Sequence, residues 1–148
     1  MKIYFVSVLY LFTTTAKSFA LDGVILHELY FENMTNAGKI GAATERTLVK
    51  FFGSVEAWEK DFRACAASAR GWCVTVYEQR SGTVRNILQD THNTGVVVGA
   101  YPLIVLDVYE HAYFFDYKTD KAAYIDAFLK AVDWACVEKR AACLGSLM

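Results

Sequence analysis

The chain is poor in the residues that most often advertise a function. It has three His, one Pro and four Cys in 148 residues, and its charges nearly cancel at a net −1. That balance argues against the basic stripe a nucleic-acid binder carries, so no nucleic-acid partner is expected. No apolar run reaches the ~18–20 residues needed to cross a bilayer, so no membrane span is expected either. Cys65, Cys73, Cys136 and Cys143 contain no C-x₂-C pair, which argues against a zinc site. With so few imidazoles, any site built on several His uses most of the supply. What is plentiful is apolar surface: 55% of the residues are hydrophobic and 15% aromatic. That content suits one compact domain with a real core and is wrong for a disordered protein.

Two readings compete at the N-terminus. Lys2 precedes an apolar block from Ile3 to Phe12, broken only by Ser7, and small residues follow at Ser18 and Ala20. This pattern passes as a secretory signal. The rival is that residues 13–26 form the body of a helix. Asp22 to Met34 then reads as an amphipathic helix, with Gly23, Val24, His27, Tyr30, Phe31 and Met34 on one face, which puts His27 on the buried side. Residues 36–41 form a loop. Thr44 to Phe52 is helical and ends at Gly53, and Ser54 caps a further helix whose stripe is Val55, Trp58, Phe62, Cys65, Ala66 and Ala69.

The period then changes. Trp72, Val74 and Val76 alternate with Cys73, Thr75 and Tyr77, as in a strand. Ser81-Gly82 is a turn, Thr83 to Leu88 a second strand, and residues 89–100 a loop. Pro102 opens the aliphatic run Leu103 to Leu106, a short buried strand. Glu110 to Tyr117 and Lys121 to Trp134 read as helices, the second exposing Lys121, Asp126, Lys130 and Asp133. Helices, three strands and helices in that order give an α+β fold with a small sheet.

Asp107 is the most informative residue. A carboxylate directly after four aliphatic residues is costly to bury unless it is paired or binds a metal. His111 follows four residues later, and an imidazole and a carboxylate leaving one buried strand end could share a first-row metal. The D-x-x-x-H spacing is a weak signal alone. Adding His27 and His92 would give a His₃Asp set suited to iron or manganese, since a hard carboxylate helps stabilise the trivalent ion.

The stretch Leu106-Asp107-Val108-Tyr109-Glu110-His111-Ala112-Tyr113-Phe114 resembles the D-x-W/Y-E-H-A-Y signature of the iron/manganese superoxide dismutase family. The resemblance extends to Tyr124-Ile125-Asp126-Ala127-Phe128, to Val132-Asp133-Trp134, to Gly71-Trp72, to Phe52-Gly53-Ser54 and to the helix from Leu26 to Asn33. It implies a C-terminal α/β lobe, with a three-stranded antiparallel sheet flanked by helices, over residues 35–148. Residues 1–34 would be a remnant of an N-terminal helical hairpin, its first twelve residues atypical.

The resemblance also implies a site. His27, Asp107 and His111 would ligate one iron or manganese ion per subunit. His92 would tune the reaction from outside the ligand set, by hydrogen bonding the bound water, with Gln89 the alternative. Trp72, Tyr109 and Trp134 would enclose the site, and Glu110 would hydrogen-bond His111 of a partner subunit in a homodimer. Superoxide would be the substrate. Two departures stand out. No His precedes His27, where the family carries its first ligand, and Phe114 replaces a frequent Tyr. A truncated member with impaired dismutation is therefore expected, the alternative being a non-catalytic lobe that only packs or dimerises. A cytoplasmic location is expected, or secretion if residues 1–20 act as a signal.

Overall fold

The computed structural model of the protein describes residues 2–34 and 38–144, with side chains from residue 10 onward. Its elements are α1 (Lys2–Glu32), α2 (Ala42–Phe52), α3 (Val55–Ser68), β1 (Trp72–Glu78), β2 (Thr83–Gln89), β3 (Ala100–Asp107), α4 (Glu110–Tyr117), α5 (Lys121–Ala131) and α6 (Trp134–Cys143). The strands form one antiparallel sheet in the order β2-β1-β3. The fold is α+β, as the order of the sequence patterns implies.

Central β1 is buried over six of its seven residues because both faces are covered. On one face Thr75 accepts a hydrogen bond from the Trp58 indole of α3, and Asn86 of β2 donates to Asp61 of α3. On the other, Val74, Val76 and Ile87 face Leu26 and Leu29 of α1 across a narrow cleft. Burying Trp58, Phe62, Trp72, Ile104, Leu106 and Phe128 together supplies the main apolar driving force.

Strand β3 begins at Ala100, two residues before the expected start at Pro102. Proline cannot donate to the ladder, and it is accommodated because β3 is an edge strand whose register slips opposite Thr75/Val76. The same register sets Trp72 opposite both Gln89 and Asp107, so the end of the sheet gathers these residues.

Three sequence expectations are corrected. The helix expected over Lys121–Trp134 is two helices: α5 stops at Ala131, and Asp133 caps α6 by accepting from the backbone N–H groups of Ala135 and Cys136. Asp133 is therefore buried rather than exposed. The buried stripe of α1 is Gly23, Leu26 and Tyr30, continued by Asn33 just past its end, while Val24 and Phe31 face solvent. The rotation follows from a buried polar anchor: Asn33 Oδ1 accepts from Val105 N–H at 2.9 Å and from Arg140 Nη1 at 3.3 Å. The expected loop at 36–41 falls partly outside the described residues. Helix α1 runs unbroken through both rival readings of the N-terminus, and no helix among the described residues is long and apolar enough to cross a membrane.

Candidate metal centre

Asp107 closes β3 and is 1% exposed. Its backbone carbonyl accepts from Tyr124 Oη at 2.7 Å, and that hydroxyl lies 2.9 Å from Tyr30 Oη. Since Tyr124 gives its proton to the carbonyl, Tyr30 must be the donor in the second bond. The pair of phenols ties α1, α5 and the end of β3 together. The two carboxylate oxygens of Asp107 have separate roles. Oδ1 accepts from Tyr109 N–H at 2.9 Å, while Oδ2 faces two imidazoles, His111 Nε2 at 3.1 Å and His27 Nε2 at 3.4 Å. Burial pushes the Asp107 carboxyl up, and the Tyr109 N–H, His111 and His27 oppose that rise.

His27 is held from behind. Its Nδ1 lies 2.6 Å from Gly23 O, one turn earlier in α1. A carbonyl only accepts, so Nδ1 carries a proton and Nε2 is the nitrogen turned towards Asp107. One ligand atom from each of His27, Asp107 and His111 lies within 4.8 Å of the others. The donor set fits a first-row transition metal: two imidazoles and a carboxylate, one imidazole already fixed in tautomer by a backbone carbonyl.

His92 stands beside this group but is not one of the three clustered donors. Trp72 Nε1 donates to His92 Nδ1 at 2.9 Å, which leaves the proton on Nε2. The His92 ring sits 5.6 Å from His27 and 4.4 Å from Phe19, centroid to centroid. Burial, with His27 adding to it, holds its pKa below the ordinary value, so it is neutral at pH 7. Gln89 is also buried, its Oε1 without a hydrogen-bond partner among the described residues, in the cleft between α1 and the sheet. Tyr109 stacks on His111 at 5.4 Å and meets Trp72 edge-on. Trp134 instead packs edge-on against Trp58 in the core.

Sequence reasoning missed three residues that shape this site. Gly23 is one: a Cβ there would lie 2.9 Å from His92 Cδ2, so only glycine lets the ring rest on α1. Glycine inside a helical pattern is a visible signal of close approach. Tyr30 and Tyr124 are the others, and they read as plain core residues because nothing in spacing joins positions 94 apart. A groove of about 530 Å³ opens along α1 between Phe19, Val24 and Phe31 and reaches His27 and His92.

Fold and site together define an α+β protein with a two-histidine, one-carboxylate cluster at a strand end. The sequence pattern of the C-terminal domain of iron/manganese superoxide dismutases matches residues 40–140. The chain belongs to the iron/manganese superoxide dismutase family. It is 42% identical over 116 residues to superoxide dismutase [Mn] 1 of Halobacterium salinarum, covering 76% of this chain and 58% of that protein. It is 38% identical over 126 residues to the superoxide dismutase [Fe] of Aquifex pyrophilus, covering 84% and 59%. A third relative, superoxide dismutase [Mn] 1 of Haloferax mediterranei, is 39% identical over 108 residues, covering 71% and 74%. The chain thus spans under two thirds of the length of the first two.

Proposed function

We propose that this protein holds a superoxide dismutase centre in which His27 Nε2, the Asp107 carboxylate and His111 Nε2 bind one iron or manganese ion. The observation that carries this reading is the approach of both Nε2 atoms to the same buried oxygen, Asp107 Oδ2, at 3.4 and 3.1 Å. The names of the relatives, which include both manganese and iron dismutases, support either metal. When bound, that metal supplies a one-electron couple through which one superoxide is oxidised to O₂ and a second is reduced, with two protons, to hydrogen peroxide.

The protein's own residues bind, orient and exclude. Gly23 O fixes the His27 tautomer, and Tyr109 N–H and Tyr124 Oη fix Asp107. The Trp72 indole turns His92 so that its proton sits on Nε2, which makes His92 the donor available to a water or superoxide oxygen at the site. Gln89, buried at the same end of the sheet with an amide Nε2 that can donate, is the second candidate for that role. Tyr109, Trp72 and Phe19 restrict water around the imidazoles. Exposed Glu110 and the His111 side chain, 61% exposed, are the face through which a second copy would dock as a homodimer.

The three His of the sequence are all accounted for in this reading, so its 148 residues supply three protein donors and no fourth imidazole. Weak metal affinity and low turnover are the behaviour expected of these 148 residues taken alone. The same observation favours a second reading, a lobe that packs or dimerises without turnover. Metal content measured together with a superoxide assay on the purified protein separates them. Weak, exchangeable iron or manganese with low turnover supports the first reading. No saturable metal and no turnover support the second. A full, tightly held equivalent with a relative's turnover refutes the impairment.

A further inference from the structure

Away from this site, two of the four cysteines meet. Cys65 is half-buried on α3 and Cys73 is buried on β1, both unbridged. The Cys73 thiol donates to Phe62 O at 3.6 Å, a carbonyl of the helical turn that also carries Cys65. Its side chain therefore reaches across the helix–sheet interface to the turn where Cys65 sits. The neighbouring thiols are unequal. The Cys73 thiol beside it draws Cys65 below the ordinary thiol range, against burial and Asp61. Cys73 is pushed well up by burial first and by Cys65 next. The partly exposed thiol is thus the more ionised one, and its sheltered neighbour keeps its proton.

We propose that Cys65 and Cys73 form a peroxide-responsive dithiol, with Cys65 the sulfur that meets the oxidant and Cys73 the sulfur that resolves it. The Cys65 thiolate attacks one oxygen of hydrogen peroxide, the O–O bond breaks, Cys65 becomes a sulfenic acid, and hydroxide leaves and takes a proton to become water. The Cys73 sulfur then attacks the Cys65 sulfur. The S–O bond breaks, the S–S bond forms, and the departing hydroxyl leaves as water with the Cys73 proton. The sum is two thiols and one hydrogen peroxide to one disulfide and two waters, a two-electron oxidation that a dithiol reductant reverses. Half-burial of Cys65 admits a small oxidant, while the buried resolving sulfur closes the path to sulfinic acid. Hydrogen peroxide is also the product of the dismutation proposed above, but the inference does not rest on that reading, because the oxidant is added from outside.

The test treats the full-length protein with hydrogen peroxide at a few equivalents, blocks remaining thiols with N-ethylmaleimide, and maps peptides without reduction. The expected result is a peptide pair joined through Cys65 and Cys73 and lighter by two hydrogens. Titratable thiols in the denatured protein then fall from the four of the sequence to two, and dithiothreitol restores them. Cys65→Ser removes the linked pair and leaves Cys73 free to be blocked. Should Cys73→Ser fold, its Cys65 accumulates as sulfenic or sulfinic acid. The proposal is overturned if Cys65 is oxidised beyond the sulfenic level while Cys73 stays free, if the linkage joins Cys136 or Cys143 instead, or if the thiol count does not fall.

Discussion

Replacing Tyr124 by Phe removes one oxygen and orphans two buried partners. The Tyr124 hydroxyl donates to Asp107 O at 2.7 Å and accepts from Tyr30 Oη, 2.9 Å away, and both phenols are buried. Burial, with Tyr30 close by, pushes the Tyr124 phenol far above its ordinary value, so it remains a protonated donor at any working pH. An orphaned buried polar group costs about 1–3 kcal/mol, so Tyr124→Phe should cost about 2–4 kcal/mol. Tyr30→Phe leaves the bond to Asp107 intact and should cost only about 0.5–1.5 kcal/mol. In the double variant Tyr30 no longer needs an acceptor, so the loss should fall short of the sum of the two singles. Urea denaturation at pH 7 measures all four proteins. Tyr124→Phe no more damaging than Tyr30→Phe, or strictly additive losses, would refute the donor order assigned here.

Further outcomes follow from other contacts. Gly→Ala inside a helix ordinarily gains about 0.5–1 kcal/mol. At Gly23 the new Cβ meets His92 Cδ2 at 2.9 Å and Cγ at 3.3 Å. The sign should therefore reverse, and a raised melting temperature for Gly23→Ala would contradict the packing. Glu138 accepts from the N–H groups of Ala43 and Thr44 and from the Thr44 hydroxyl. Burial pushes its carboxyl up, but those donors outweigh it and hold it below the usual range. A depressed folded-state pKa gives stability that is present above the unfolded value and lost as the pH falls through the folded one. Glu138→Gln should thus cost about 1–2 kcal/mol at pH 7, and urea melts at falling pH should show the gap closing; a constant gap refutes it. Buried Arg140 donates to Asn33 Oδ1, Leu103 O, Leu29 O and Glu32 Oε2. Arg140→Leu should cost about 3–5 kcal/mol in the same melts, and a loss below about 1 kcal/mol would show the cluster to be dispensable.

Much of this molecule was legible in its residues. The switch from helical to alternating period placed β1 and β2 within a residue or so, because β-branched and aromatic residues alternate there between turn signals. Asp107 and His111 could be paired by hand, since both leave one strand end. The break at Val132-Asp133 was not legible, because the apolar spacing continues through it and only the capping geometry of Asp133 stops the helix. The face of α1 was misread for a related reason. Asn33 is polar yet buried, and its partners Val105 and Arg140 lie 72 and 107 residues away. Gly23 and the two tyrosines escaped because their roles exist only when α1, the loop bearing His92 and α5 are brought together. Such long-range pairings leave no periodic trace.

The most direct test of the metal centre is a manganese(II) titration of the full-length protein, followed by electron paramagnetic resonance of the free ion, beside Asp107→Asn. One saturable equivalent that dialysis against chelator removes, and that Asp107→Asn abolishes, is the predicted result. Saturable binding that survives in Asp107→Asn unchanged, or none in the parent protein, would contradict a site built on His27, Asp107 and His111.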